Sequence, residues 1–397
     1  MPFCVALCAA LEFISFVLFC MQTPHPSACQ PDSRQEHVPV EVTGLRTGYA
    51  RHGAHCVKKM KLCTFTHVSQ IMRWCLVLVL FLTLSSVAVA AKAAKIIAKK
   101  GPGGFSANGF GKKTATLSPT VKLNTGAEIP VLGFGTYRTG GPELQVALRH
   151  AIAAGYRHLD TASCYNNEAI VGAALKESGL PRESFFITTK LWCTDHGTER
   201  TRKAIKASLE NLGTGYIDLY LIHAPWQLDI AKSPEEVSML RRESWRVMEE
   251  FHRDGVLRAL GVSNFEPRHI DDILACAGVK PAVNQVERHA YLAQTELREY
   301  CARHEILLEA YGSAGAKGLL EDPVVRAIAA AHGRTAAQVS LKYSVQRGIV
   351  VLAKSVTEKR IAQNAKLFDF ELSEEDLAKL EALDCGKRSY WDNSNAP

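Results

Sequence analysis

The stretch from Gly155 to Glu168 places an acid, Asp160, five residues before a phenol, Tyr165. A phenol can hand a proton to a developing alkoxide. Its unperturbed pKa of about 10 makes it a reluctant donor at neutral pH unless a cation lies close. Two further residues complete such a device: Lys190, the cation that would tune the phenol, and His223, an imidazole that could orient a substrate oxygen beside it. Asp160 then serves as counter-ion, keeping Lys190 charged in a partly dry site. Taken singly these residues are ordinary. An Asp at a strand end caps a turn, a Lys reaches for solvent, and a His satisfies its neighbours. Together they form a general-acid site of the kind that contributes about 10²–10⁴-fold to a rate.

The elements that must carry them recur along the chain. Short apolar runs at Val131–Phe134, Tyr156–Asp160, Phe185–Lys190, Ile217–Ile222, Leu257–Val262, Val283–Val286, Ile306–Ala310 and Ile349–Leu352 read as eight strands. Amphipathic stretches lie between them, including Glu143–Ala154, Glu168–Glu177, Arg200–Leu212, Pro234–Arg253 and Thr335–Arg347. Val121–Leu123 and Glu128–Pro130 flank Asn124-Thr125-Gly126 as a hairpin. Eight strand–helix units in about 250 residues define the α/β class and match a (β/α)8 TIM barrel with an N-terminal β-hairpin. The competing doubly wound sheet would carry a GxGxxG turn after its first strand. Gly133-Phe134-Gly135-Thr136 begins that spacing and does not complete it. In a barrel the strand ends converge on one mouth. Asp160, Lys190 and His223 close the second, third and fourth strands, followed by Ser263-Asn264, Gln285, Tyr311 and Lys354-Ser355.

The formal net charge of +7 is concentrated before the barrel. From residue 123 onward 33 Lys/Arg face 36 Asp/Glu, which argues against nucleic acid as a partner. Seven of the twelve Cys precede residue 76; the other five, Cys164, Cys193, Cys276, Cys301 and Cys385, form no metal-ligand spacing. Residues 1–71 read as an upstream extension, either untranslated because translation starts at Met72, or disordered. Residues 72–90 pair Arg73 with an apolar run ending Ala88-Val89-Ala90, the pattern of a signal peptide or a signal anchor. That pattern points to the secretory or endomembrane route, with membrane attachment if the segment is retained. The cytoplasm is the alternative if it is an artefact of the gene. Residues 91–118 are Lys- and Gly-rich and read as a disordered linker, leaving 119–397 as the barrel.

Over residues 119–397 the sequence resembles the aldo-keto reductases. Gly155–Glu168 is similar to the family's first signature, Ile222-His223 with Gly255–Phe265 to the second, and Val350–Asn364 to the third; Lys190–Cys193 and Lys280–Glu287 also match. The resemblance implies an oxidoreductase that reduces aldehydes or ketones, such as aldoses and other small carbonyls, with pro-R hydride from C4 of NADPH. It makes Tyr165 the acid, Lys190 and Asp160 its tuners, and His223 the group that orients the carbonyl. Ser263, Asn264 and Gln285 would hold the nicotinamide carboxamide, with the Tyr311 ring stacked on the nicotinamide. Gly135, Thr136, Asp160, Gly312 and Ser313 belong to the same cofactor groove. Lys354, Ser355 and Arg360 would grip the 2′-phosphate, which suits a bidentate Arg beside a point-charge Lys, with Gln363 and Asn364 near the adenine. Tyr137 and Trp192 would wall the substrate pocket. The family needs no metal and is commonly monomeric. A cofactor-binding regulatory module with little turnover is the alternative on the same scaffold.

Three departures stand out. The family's Ser-Pro-Leu-Gly after Tyr311 is Gly312-Ser313-Ala314-Gly315 here, Ala224 replaces a Trp after His223, and the tail from Gly386 is short. These predict altered pyrophosphate contacts, a pocket wider on the Ala224 side, and broad selectivity.

Overall fold

The computed structural model describes residues 118–226 and 233–397. The extension at 1–71, the signal segment at 72–90 and all of the linker except residue 118 lie outside the described residues. Among the described residues no helix is long and apolar enough to cross a membrane.

A hairpin opens the fold. β1 (Thr120–Lys122) pairs antiparallel with β2 (Glu128–Pro130), with Val121 opposite Ile129. Eight parallel strands then close on themselves: β3 (Leu132–Gly135), β4 (His158–Asp160), β5 (Phe186–Leu191), β6 (Leu219–Ile222), β7 (Leu260–Ser263), β8 (Val283–Glu287), β9 (Leu307–Tyr311) and β10 (Val350–Ala353). β10 pairs with β3 to complete the barrel, Leu352 opposite Gly133. The predicted order of strands is the observed one. Seven of the eight begin one to three residues later than predicted, and for two of these the reason is visible: Ile217 and Leu257 meet only in an isolated bridge below the continuous ladder.

Ten helices surround the barrel among the described residues: α1 (Gly141–Ala153), α2 (Glu168–Glu177), α3 (Thr198–Leu212), α4 (Pro234–Arg253), α5 (Pro267–Leu274), α6 (Thr295–Arg303), α7 (Pro323–Ala331), α8 (Ala336–Gln346), α9 (Glu358–Ala365) and α10 (Glu374–Glu381). Their starts follow capping chemistry. Ser233 Oγ accepts from Glu236 N ahead of Pro234 at the start of α4, and Thr335 and Gln338 form a reciprocal box at the start of α8.

The strands are buried on both faces, so alternation sorts their residues into two cores rather than into core and surface. Leu159, Ile187, Leu191, Tyr220, Ile222, Leu260, Val262, Leu308, Ala310 and Val351 turn outward and pack under the helices. Phe186, Leu219, Leu221, Val283 and Val350 turn inward, where Leu123 and Ile129 of the hairpin join them and stopper the N-terminal end. Asn124 Nδ2 fastens that stopper by donating to Pro281 O at 2.9 Å. The same period of two sends His158 and Asp160, Thr188 and Lys190, Gln285, and Glu309 and Tyr311 into the barrel. The site is thus a property of strand register, and slipping one strand by a residue would turn its functional groups out.

Candidate active site

Lys190 is fully buried at the end of β5, and Asp160 is 3% exposed at the end of β4. Lys190 Nζ donates to both Asp160 oxygens at 2.8 Å and to Thr161 O at 2.8 Å, which uses all three of its protons. Asp160 also accepts from Gln285 Nε2 at 2.8 Å. Burial pushes the Asp160 carboxyl up, and the Lys190 ammonium opposes that shift.

Tyr165 follows on a single 3₁₀ turn, Ser163–Tyr165, anchored by Ser163 Oγ donating to Lys190 O. Its hydroxyl lies 3.5 Å from His223 Nε2, a distance at the outer limit of a hydrogen bond and one that a carbonyl oxygen could bridge. Burial and the Lys190 charge hold His223 well below its usual range, so the ring is neutral. Its other nitrogen, Nδ1, lies 3.5 Å from Cys164 Sγ. Burial raises that thiol to about 12, so it stays protonated and can donate to Nδ1. With the thiol as donor, the ring proton would sit on Nε2, facing Tyr165. No sequence signal had assigned Cys164 a role.

One expectation is corrected. Lys190 does not bring the Tyr165 phenol down. Burial, followed by the Asp160 charge, drives it well above 10. The reason is geometric: the Lys190 ammonium is spent on Asp160, and it stands 5.1 Å from the centre of the Tyr165 ring rather than at its oxygen. The phenol therefore keeps its proton, the state a general acid requires before reaction.

Ser263, Asn264 and Gln285 come together on the far side of Asp160. Asn264, in the left-handed region at φ 62, donates to His223 O at 2.9 Å and accepts from the Tyr311 hydroxyl at 2.7 Å. Ser263 Oγ donates to Gln285 O at 2.7 Å. Thr136 is buried with its hydroxyl on Asp160 O at 2.9 Å. A cavity of about 200 Å³ opens among Gly135, Tyr165, His223, Asn264, Gln285 and Tyr311 and runs to Lys354. Lys354 is exposed beside Ser355, while exposed Arg360, half-buried Gln363 and buried Asn364 lie on α9. Among the described residues neither Lys354 nor Arg360 has a carboxylate partner, so a phosphomonoester there would meet free cations.

Ser313 departs from its predicted place. It is fully buried and its hydroxyl donates to Arg288 O at 3.0 Å, so the side chain cannot reach a ligand phosphate. Instead the tail covers the Gly312–Gly315 loop. Gly312 has φ 73, and a Cβ on it would stand 2.8 Å from the Tyr390 ring; one on Gly315 would stand 2.5 Å from the Tyr390 hydroxyl. The two glycines make the shelf on which Tyr390 lies. Glu287 anchors it by accepting from Ser389 N at 2.6 Å and Tyr390 N at 3.1 Å.

The next residue, Trp391, roofs the substrate side. Its ring centre lies 5.5 Å from that of His223, 5.9 Å from Trp192, 6.2 Å from Trp226 and 6.5 Å from Tyr137. Arg268 holds the tail beyond it through Ser394 O and Ala396 O at 2.8 and 2.6 Å. The predicted widening on the Ala224 side is thereby corrected. Ala224 is buried, Trp226 and Trp391 close that side, and the short tail crosses the site. Tyr137 lines the cavity and Trp192 packs against Trp391 beside it, whereas Tyr390, Trp391 and Arg138 at the cavity's edge carried no sequence signal.

A closed parallel barrel with an acid–base cluster at its C-terminal mouth and free cations along one edge defines a class of barrel enzyme. The sequence matches the Aldo/keto reductase family over residues 131–384, and the chain belongs to that family. It is 43% identical to a glyoxal reductase of Bacillus subtilis over 274 residues, 69% of this chain and 95% of that protein. It is 40% identical to aldo-keto reductase family 1 member A1 of Mus musculus over 288 residues, 66% of this chain and 89% of that protein. Among solved structures, the aldose reductase of Schistosoma japonicum matches at TM-score 0.64 and 38% identity, covering 68% of this chain and 94% of that one. An aldo-keto reductase from a deep-sea metagenome, MGS-M4, matches at TM-score 0.65 and 40% identity, covering 70% and 99%. Membership makes the protein an oxidoreductase acting on carbonyls and alcohols, in a family that generally uses NAD(P)H.

Proposed function

We propose that the protein reduces small aldehydes and ketones to alcohols with NADPH, and that Tyr165 supplies the proton. The observation that carries this reading is the meeting of a protonated phenol and a neutral imidazole, 3.5 Å apart, above a buried Lys190–Asp160 pair. NADPH, when bound, supplies the hydride that converts the carbonyl carbon to an alkoxide carbon. Tyr165 gives its proton to the alkoxide oxygen, completing the C–H and O–H bonds of the alcohol. His223 donates from Nε2 to the same oxygen and fixes its position. Lys190 and Asp160 hold the strand ends together and keep the phenol over the cavity, with the ammonium 5.1 Å from the centre of the Tyr165 ring. Tyr311 offers a flat face for the nicotinamide, and Gln285 an amide for its carboxamide.

The free cations Lys354 and Arg360 support NADPH over NADH. The aromatic walls favour flat or apolar aldehydes over polyhydroxylated aldoses, because the ring faces would strip water from sugar hydroxyls and offer only a few scattered polar groups in return.

The test is NADPH oxidation with a panel of aromatic aldehydes, methylglyoxal, quinones and aldoses. Wild type should turn over, while Tyr165→Phe should lose about 10²–10⁴-fold and still bind NADPH. Near wild-type rates in that variant would remove Tyr165 as the acid. NADPH binding without turnover on any carbonyl would favour a regulatory module.

A further inference from the structure

The barrel encloses a second acid that the reaction above does not use. Glu309 lies on β9 between Leu307 and Tyr311, turned inward, with none of its surface exposed. Its Oε2 accepts from Gln285 Nε2 at 2.8 Å. The same nitrogen donates to Asp160 Oδ2, also at 2.8 Å. One amide group therefore spans two carboxyl groups. The contact with Asp160 identifies the nitrogen end of the amide, because a carboxylate already paired with Lys190 can only accept.

The charges do not balance if both acids are ionised. The titratable groups facing Glu309 are His158 and Asp160 of β4, Lys190 of β5, and Tyr311 two residues on along β9, whose phenol burial holds above its usual range. The rest of the lining is Leu307 from β9, Val283 and Gln285 from β8, and Val350 and Leu352 from β10. Lys190 is consumed by Asp160. His158 is neutral, held near 3 chiefly by burial, and its Nε2 is engaged with Thr188 Oγ1 at 2.9 Å. Glu309 Oε1 has no hydrogen-bond partner; His158 Nε2, at 3.6 Å, is beyond reach. An ionised Glu309 would thus bury a bare anionic oxygen beside a second carboxylate, whereas the neutral acid leaves only one weak contact unmade. Burial, then the Asp160 charge, push the Glu309 carboxyl up to about 8.

We propose that Glu309 is a positioning residue that, as a neutral acid, locks the Gln285 side chain with both amide protons inward and its oxygen toward the cavity. Gln285 then presents only an acceptor to an incoming ligand, which selects the amino end of a carboxamide and sets its rotation over the site. This rests on the reading of the cavity as a nicotinamide site. Ionising Glu309 sets two carboxylates against each other across one amide and loosens that grip.

The experiment compares NADPH affinity by fluorescence in wild type and Glu309→Gln, an isostere of the neutral acid. Wild-type affinity should fall about tenfold between pH 7 and pH 9, as expected for a single ionisation near 8 that abolishes tight binding. Glu309→Gln should stay within about twofold over the same range; a slope matching wild type overturns the proposal. A second readout needs neither cofactor nor variant. Infrared spectra of the wild-type protein should show a protonated-carboxyl C=O stretch near neutral pH that disappears with a midpoint near 8, and the lack of that band overturns the proposal even if the variant does not fold. If NADPH does not bind, the cofactor reading falls and the infrared band alone decides the state of Glu309.

Discussion

Replacing Asp160 by Asn separates what the buried ion pair does for the fold from what it does for the reaction. Lys190 Nζ lies 2.8 Å from both Asp160 oxygens with neither partner meaningfully exposed. At that distance, with an effective dielectric of 20, the pair attracts by about 6 kcal/mol. Most of this offsets the cost of taking both charges out of water. Asp160→Asn leaves the ammonium with only neutral oxygens, those of Thr161 and the new amide, and breaking a buried pair in this way costs about 3–5 kcal/mol. Lys190→Met leaves Asp160 with one Gln285 proton, and should cost a similar amount or less, because a carboxyl can neutralise itself. The double variant removes both charges and should recover most of the loss, by about 3 kcal/mol relative to the sum of the singles. Urea unfolding of all four proteins measures this cycle. Turnover should not follow stability: every variant should remain crippled, because each one lacks the buried pair that holds the Tyr165 phenol over the cavity. A double variant as unstable as the sum of the singles would refute the pairing argument. One that regains turnover would refute the assigned role of the pair.

Arg360→Ala should weaken NADPH far more than NADH in a fluorescence titration, since its guanidinium has no carboxylate partner among the described residues; equal losses would take Arg360 off the 2′-phosphate. Stability should peak near pH 7, about where the two opposing proton counts balance. Burial holds His158 and His196 near 3 and His269 near 4, and His223 is also held low, so below about pH 7 the unfolded chain binds more protons and stability falls by up to about 1.4 kcal/mol per histidine per pH unit. Glu309 acts in the opposite direction: its raised carboxyl keeps a proton that the unfolded chain has lost, so it subtracts stability as pH rises from 4.5 towards 8. Four histidines outweigh one carboxyl up to about pH 7, where each unfolded-state ring is about a quarter protonated, and above it the raised Glu309 carboxyl gives a decline. Urea midpoints that do not change between pH 5 and 6.5 would contradict the burial of these rings.

The barrel was legible because eight apolar runs alternate with amphipathic ones, and because a hairpin turn precedes the first. The chemical residues were legible because they close successive strands. Reading the same alternation one step further would have found Glu309: in Leu307-Leu308-Glu309-Ala310-Tyr311 it shares the face of Tyr311. What the sequence could not supply was distance. Tyr390 and Trp391 follow the barrel without periodicity, and their partners Gly312, Gly315, Tyr137 and Trp192 lie far back along the chain. The two glycines looked like a loss of rigidity and are the seat of an aromatic ring. The acidity of Tyr165 was misjudged for a related reason. The residue types promise an attraction to Lys190, but only the geometry shows that Asp160 has already taken it and that burial dominates.

The hairpin stopper bears on kinetics. With Leu123 and Ile129 packed into the N-terminal end, the described residues close the barrel there and leave the cavity open on the side roofed by the tail. A nicotinamide laid against Tyr311 would lie beneath whatever occupies the space under His223 and Trp391. Two molecules sharing one corridor must queue: the deeper one enters first and leaves last. Excess carbonyl would then stand in the path of the departing cofactor, so the bottom of the barrel, remote from every reacting atom, sets the order of traffic at the top.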